Sequence, residues 1–231
     1  MPAPARRLLL AGATGLVGRA VLAELAARAA AGAARGPVLA LLRRPPDVAL
    51  QAALRAAGAE AVVAADLTHP PPLPPADDAL IALGTTIAVA GSQAAFRAVD
   101  HDAVLAVAQA ARQAGARRLA VVSALGANAG SAVFYNRVKG EMERDVAALG
   151  FDSLAIAQPS LLAGDRESLD QPPRAAERWT LRLLKPVQGL LPASVRPIEA
   201  ATVARALLRA LDEGQPGRRV LPSAELARTG R

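Results

Sequence analysis

Short apolar runs alternate with longer stretches of helical periodicity along most of this chain. The run RLLLA at 7–11 predicts a buried strand, and residues 16–30, which place Val17, Val21 and Leu25 on one face, predict a helix. Apolar runs at 38–42, 61–65, 78–83, 117–123 and 152–157 predict five further strands. Helical patterns separate them near Asp47 to Ala57, from Gln93 to a stop at Gly115, and from Tyr135 to about Leu149. Strands that are apolar on both faces, with helices between them, predict an α/β fold: a doubly wound parallel sheet covered on both sides. The proline-rich stretch THPPPLPP at 68–75 reads as a stiff surface connection. After Pro159 the alternation stops. We therefore expect a single domain, with residues 1–158 as the core and residues 159–231 as a small helical segment shaping the substrate side or forming a lid.

Composition narrows the class. The chain is 52% hydrophobic and 20% charged, as expected of a compact globular protein, but only 2% aromatic, so its core must be built from Ala, Leu and Val. It has no cysteine, which excludes disulfides, thiol nucleophiles and cysteine metal sites. The two histidines, His69 and His101, lack partners at a metal-ligand spacing, so no metal is expected. No G-x-S-x-G elbow supports a serine hydrolase. The uncharged windows beginning at Ala79 and Leu119 are too rich in Gly, Ser, Thr and Asn to span a bilayer, and the apolar run near the start is short and broken by glycine. Together these predict a cytoplasmic protein without a transmembrane segment.

Charge is unevenly placed. Of a formal +7, most lies from Arg174 onward, where 11 basic residues face 5 acidic ones. Arg178, Arg182 and Lys185 share a helical face there, which reads first as the solvated face of a leucine-packed helix and, in functional terms, as a lid over an anionic substrate rather than a contact with anionic membrane. A pI of about 11.2 also suggests nucleic acid as a partner. The scarcity of aromatics for base stacking argues against it.

The first predicted strand runs into GATGLVG, with Gly12, Gly15 and Gly18 spaced three apart. Strand, glycine turn and helix start make a phosphate site: glycine permits close backbone approach, and the helix amino terminus presents free amides and a favourable dipole. This is a variant of the dinucleotide fingerprint of a Rossmann-like fold. The second strand ends in Arg43 and Arg44 where an NAD binder places an acidic residue, so NADP, with NADPH preferred over NADH, is the expected cofactor. Ser123 ends the fifth strand, on the side of the sheet that carries the glycine turn. Tyr135 is the only tyrosine and Lys139 one of two lysines; spaced i, i+4, they share a helix face. An ammonium beside a phenol favours the phenolate, and the pair can donate or accept a proton at a carbonyl oxygen.

With the stretches ALGTT, AGSQAAFRAVDHD, VVSALGA, FYNRVKGEME, QPSLLAGDRE and RPIEAATVARAL, the sequence resembles the short-chain dehydrogenase/reductases, in particular the atypical branch that includes the Tat-interacting-protein-like NADPH-binding proteins. The resemblance implies Ser123, Tyr135 and Lys139 as the catalytic triad, with Lys139 also holding the nicotinamide ribose. It places Asp66 near the adenine, with Leu67 beside it in the cofactor site. It assigns Thr14, Leu16, Val17, Gly84, Thr85 and Pro159, with Tyr135 and Lys139, to the cofactor site. Two positions depart from the pattern: Asp100 stands where many relatives carry Asn, and Gln158-Pro159 where extended enzymes carry Arg-Pro. The expected function is an NADP(H)-dependent oxidoreductase acting on a small carbonyl or alcohol, and the alternative is a non-catalytic NADPH-binding regulator.

Overall fold

The computed structural model describes residues 6–33, 35–163 and 196–230. Strands β1 (Leu8–Ala11), β2 (Val38–Leu42), β3 (Ala59–Val63), β4 (Asp78–Ile81), β5 (Arg118–Val122), β6 (Ser153–Gln158) and β9 (Gly217–Pro222) form one parallel sheet in the order β3-β2-β1-β4-β5-β6-β9. A short parallel pair, β7 (Leu162–Ala163) with β8 (Ile198–Glu199), lies apart from it. This is the doubly wound, Rossmann-like α/β arrangement that the apolar pattern predicts. The order reverses between β1 and β4, and the carboxyl ends of these two strands open the crevice in which such sheets bind ligands.

Side chains alternate across the pleat, so β1 feeds both layers of core. Leu8 and Leu10 join Val17, Val21 and Leu25 of α1 (Leu16–Ala30) and Leu207 of α7 (Ala200–Glu213) on one face. Leu9 and Ala11 meet Val104 and Val107 of α5 (Val104–Gln113) and Met142 of α6 (Phe134–Ala147) on the other.

Several elements differ from expectation, among them β4, which ends at Ile81 rather than at residue 83. β3 starts and ends two residues early, because its ladder with β2 closes at Leu42 and Val63 and leaves the next residues to line the crevice. The predicted helix from Gln93 is α4 (Gln93–Arg97), a π-helical turn (Ala98–Ala103) and α5, a break that uniform periodicity does not announce. Beyond Pro159, α7 covers the sheet and β9 extends it, followed by α8 (Ser223–Thr229). As an edge strand carrying Arg218 and Arg219, β9 lacks the continuous apolar run of the inner strands. The basic face at Arg178, Arg182 and Lys185 lies outside the described residues.

At the amino end of the sheet, a charge cluster ties α7 down. The fully buried Asp78 pairs with Arg6 at 3.0 Å and with Arg35. Asp212 of α7 pairs with Arg28 at 2.9 Å and also with Arg35. Asp78→Asn keeps the shape but leaves two guanidinium groups short of a charge. It should cost about 1–3 kcal/mol of stability, read as a lowered urea midpoint. An unchanged midpoint would reduce the cluster to a solvated edge.

Candidate functional site

The glycine turn is built by close contact. Gly12 takes φ +91°, and a Cβ there would lie 2.5 Å from the Ala82 carbonyl carbon; a Cβ on Gly18 would lie 2.0 Å from the Gly12 oxygen. Neither space admits another residue, so the loop between β1 and α1 presses against the end of β4. Gly15 caps α1 in an extended conformation with no side-chain hydrogen bond to the helix amides. That end of the helix keeps its donors for an anion.

A cavity of about 940 Å³ opens here. Its walls are the glycine loop, residues 41–47 at the end of β2, the turn at 65–68, residues 82–85 after β4, and parts of α3 (Ile87–Ala90), α4 and the π-helical turn. Of the expected cofactor residues, Gly12, Thr14, Gly15, Arg43, Arg44, Asp66, Leu67, Gly84 and Thr85 line it. Leu16, Val17 and Gly18 do not: they pack behind the loop. Ser123, Tyr135, Lys139 and Pro159 also stand outside its lining.

The cavity's charges are sorted by hydrogen bonding. Asp47 is occupied in capping α2 (Val48–Ala56), accepting from the Leu50 amide at 2.7 Å. Asp66 accepts from the Thr68 hydroxyl at 2.6 Å, the Thr68 amide at 2.8 Å and His69 Nδ1 at 3.0 Å. Led by the Thr68 hydroxyl, these bonds hold the Asp66 carboxyl down at about 2. Arg43 and Arg44 are exposed and make no ion pair among the described residues. Arg19, which the sequence reading missed, joins them in the lining, with its Nε buried and without a protein partner among the described residues. Its position directly after Gly18, on the first turns of α1, is the signal that could have found it.

Beside the cavity, α6 meets the segment before α5 along a seam. Tyr135 packs its ring on Phe96 at 5.2 Å between centroids, and one turn on Lys139 Nζ lies 2.7 Å from Asp100 Oδ1. Both members of the ion pair are buried. The other Asp100 oxygen accepts from the Thr85 amide at 2.8 Å, and a Cβ on Gly84 would lie 3.3 Å from Asp100 Oδ1. The seam therefore abuts the wall of the cavity at Gly84 and Thr85.

Ser123 continues β5, its amide donating to the Ala157 carbonyl at 2.7 Å, and its buried Oγ has no partner among the described residues. The Leu125 amide donates to the Pro159 carbonyl at 2.9 Å. The loop that follows lies directly on α6: a Cβ on Gly140 would come 2.1 Å from the Ala129 nitrogen, and the Asn128 amide donates to the Asn136 carbonyl at 2.9 Å. Gly140 thus fixes the loop from Ser123 against the helix of Tyr135 and Lys139, a role invisible in spacing alone. His101 is clamped by Asp102 at 2.7 Å and Asp145 at 2.9 Å, and among the described residues no cluster of His, Cys, Asp or Glu could hold a metal.

Residues 12–177 match the model of the NAD(P)H-binding family. The chain belongs to this family. An orphaned Arg19 Nε and an uncapped helix end beside the tight glycine loop fit a dinucleotide. Among curated relatives, the mitochondrial protein FMP52 of Eremothecium gossypii is 40% identical over 69% of this chain and 68% of its own length. The mitochondrial fmp52 protein of Emericella nidulans is 36% identical over 79% and 77%. MoeE5, solved in complex with UDP-glucose and NAD, superposes with a TM-score of 0.66 at 17% identity, covering 93% of this chain and 75% of MoeE5. The short-chain dehydrogenase/reductase YIR035C of Saccharomyces cerevisiae gives a TM-score of 0.66 at 12% identity, covering 97% and 99%. At these identities the solved structures speak for the fold.

The names of the relatives overturn the cytoplasmic expectation, since they are mitochondrial proteins. That expectation rested on an absence of cysteine and of spanning segments, and neither separates cytosol from the interior of an organelle. Among the described residues, no helix is long and apolar enough to cross a membrane.

Proposed function

We propose that the protein is an NADP(H)-dependent oxidoreductase of the short-chain dehydrogenase/reductase type, within the atypical branch that includes the Tat-interacting-protein-like proteins. Its substrate in this reading is a small carbonyl compound or alcohol. One observation carries the reading: Tyr135 and Lys139, one turn apart on α6, pack against Phe96 and Asp100 in a seam directly behind the cavity wall at Gly84 and Thr85. When bound, the reduced nicotinamide supplies a hydride. Tyr135 gives a proton to the carbonyl oxygen in reduction and takes it back in oxidation. The Ser123 hydroxyl, buried and unpartnered among the described residues, donates a second hydrogen bond to that oxygen. Lys139, paired in charge with Asp100 at 2.7 Å, has N–H donors that serve the nicotinamide ribose. Arg43 and Arg44 supply the positive charge that favours a 2′-phosphate, and Arg19 adds a third cation to the lining for a phosphate of the cofactor.

The test is calorimetry with NADPH and NADH, followed by a screen of aldehydes, ketones and quinones for NADPH oxidation. Tight NADPH binding and turnover of at least one carbonyl are expected. NADPH binding with no turnover anywhere in the screen would favour the regulator, a reading that the position of Ser123, Tyr135 and Lys139 outside the cavity lining keeps in play. Failure to bind either nucleotide would sink both.

A further inference from the structure

The buried ion pair at the seam has a consequence for the direction of the chemistry. An isolated ammonium one turn from a phenol pulls it toward phenolate. Here Lys139 Nζ stands 2.7 Å from Asp100 Oδ1, and both side chains are almost fully out of solvent, at 4% and 1% exposure. Two opposite charges so close present a dipole to a third group, and the field of a dipole falls off faster than that of a lone cation. Asp100 is also fixed in place: its second oxygen accepts from the Thr85 amide at 2.8 Å. Phe96 and Asp100, four residues apart, meet Tyr135 and Lys139, also four apart, so one seam holds the ring and the cation together.

The other charges around the seam are engaged with one another. On the facing side, Arg97 pairs with Glu141 and lies 4.0 Å from Asp102, and His101 sits between Asp102 and Asp145. On α6, Glu143 accepts from Gln158 at 2.9 Å and from Arg218 of β9 at 3.2 Å. Arg144 donates to Asp145 at 2.7 Å, and Arg137 donates to the Ser131 and Ala132 carbonyls at 2.9 and 3.3 Å. Asp100 is therefore the carboxylate set against Lys139.

We propose that Asp100 is a positioning residue that offsets the charge of Lys139 and keeps Tyr135 a phenol at neutral pH, so that the site is set for carbonyl reduction rather than alcohol oxidation. The proposal rests on the catalytic reading above. In this direction the carbonyl carbon takes a hydride from the reduced nicotinamide cofactor, the π pair moves to oxygen, and that oxygen takes the Tyr135 proton. The carbonyl is reduced, the cofactor oxidised, and solvent returns the proton to the tyrosinate. A proton donor must be present before the step begins, and a phenolate at rest could not serve.

Because Tyr135 is the only tyrosine, tyrosinate absorbance near 295 nm titrates this one group in the intact protein and needs no substrate. The parent should show a midpoint of about 8 or above, which leaves the phenol at least nine-tenths protonated at pH 7. Asp100→Asn should lower the midpoint by about one unit or more, and the same change in a Lys139→Met background should not. Tyr135→Phe should abolish the signal. A parent midpoint below 8 overturns the proposal, and it decides the matter even if Asp100→Asn does not fold. So does an Asp100→Asn shift that is absent, upward, or unaltered by Lys139→Met. Since the titration is independent of turnover, a failed carbonyl screen sinks the enzyme reading and leaves this measurement standing.

Discussion

Tyr135→Phe should keep NADPH affinity and lose about 10²- to 10⁴-fold in turnover, the range that positioned proton transfer contributes. The variant removes one hydroxyl and little else. The ring rests on Phe96 at 5.2 Å, and a phenylalanine can keep that contact. The cavity lining does not include Tyr135, so loss of its hydroxyl should leave the phosphate and adenine side of the cofactor site intact. Lys139→Ala is the informative companion. It removes a ribose donor and also strands the buried Asp100 carboxylate, so affinity, turnover and melting temperature should all fall. Single-turnover kinetics on any carbonyl found by the screen separate the two patterns. A Tyr135→Phe enzyme as fast as the parent would remove the tyrosine from the chemistry and move the regulator reading ahead.

How far the sequence reveals this site depends on which contacts are local. The glycine turn was legible because a strand, three spaced glycines and a helix follow one another within a few residues. That Tyr135 and Lys139 sit one turn apart on a helix was legible for the same reason, since one helical turn sets their neighbourhood. The partners of that pair were not. Asp100 lies 39 positions before Lys139 and reaches it from a π-helical turn, while the apolar periodicity around it reads as one unbroken helix. Gly140 has its meaning only when the loop from Ser123 lies across it.

The carboxyl-terminal part shows another limit. Inner strands announce themselves as apolar runs because both faces are covered, but β9 is an edge strand with two arginines, and its pairing with β6 is fixed by tertiary contact. Arg19 stands one residue past the last glycine of the turn, where spacing alone does not separate it from the other arginines of the chain. Its Nε points to a ligand only once the cavity and the missing partner are seen together.

The second large effect concerns cofactor choice. In an Arg43→Ala, Arg44→Ala double variant, NADPH affinity should fall by about 10²-fold or more while NADH affinity stays within about threefold. Each charge-assisted contact to a 2′-phosphate contributes on the order of 1.5–3 kcal/mol, so two intact contacts would be lost as about 10²- to 10⁴-fold. Both arginines are exposed, and screening by solvent and salt moves the expectation toward the lower end. Asp47 and Asp66 form no ion pair with them among the described residues: the first accepts from the Leu50 amide, and the second, which keeps its negative charge, accepts from Thr68 and His69. Arg19 is set apart from this pair by its place on α1, and Arg19→Gln serves as the comparison. If its guanidinium serves the pyrophosphate that both cofactors share, NADPH and NADH should weaken together; if it serves the 2′-phosphate, only NADPH should. If the exposed arginines hold the additional phosphate, raising the salt concentration should erode NADPH binding to the parent and leave NADH binding nearly flat. Equal calorimetric affinities for the two cofactors in the parent would show that the arginines at the end of β2 do not read the 2′ position.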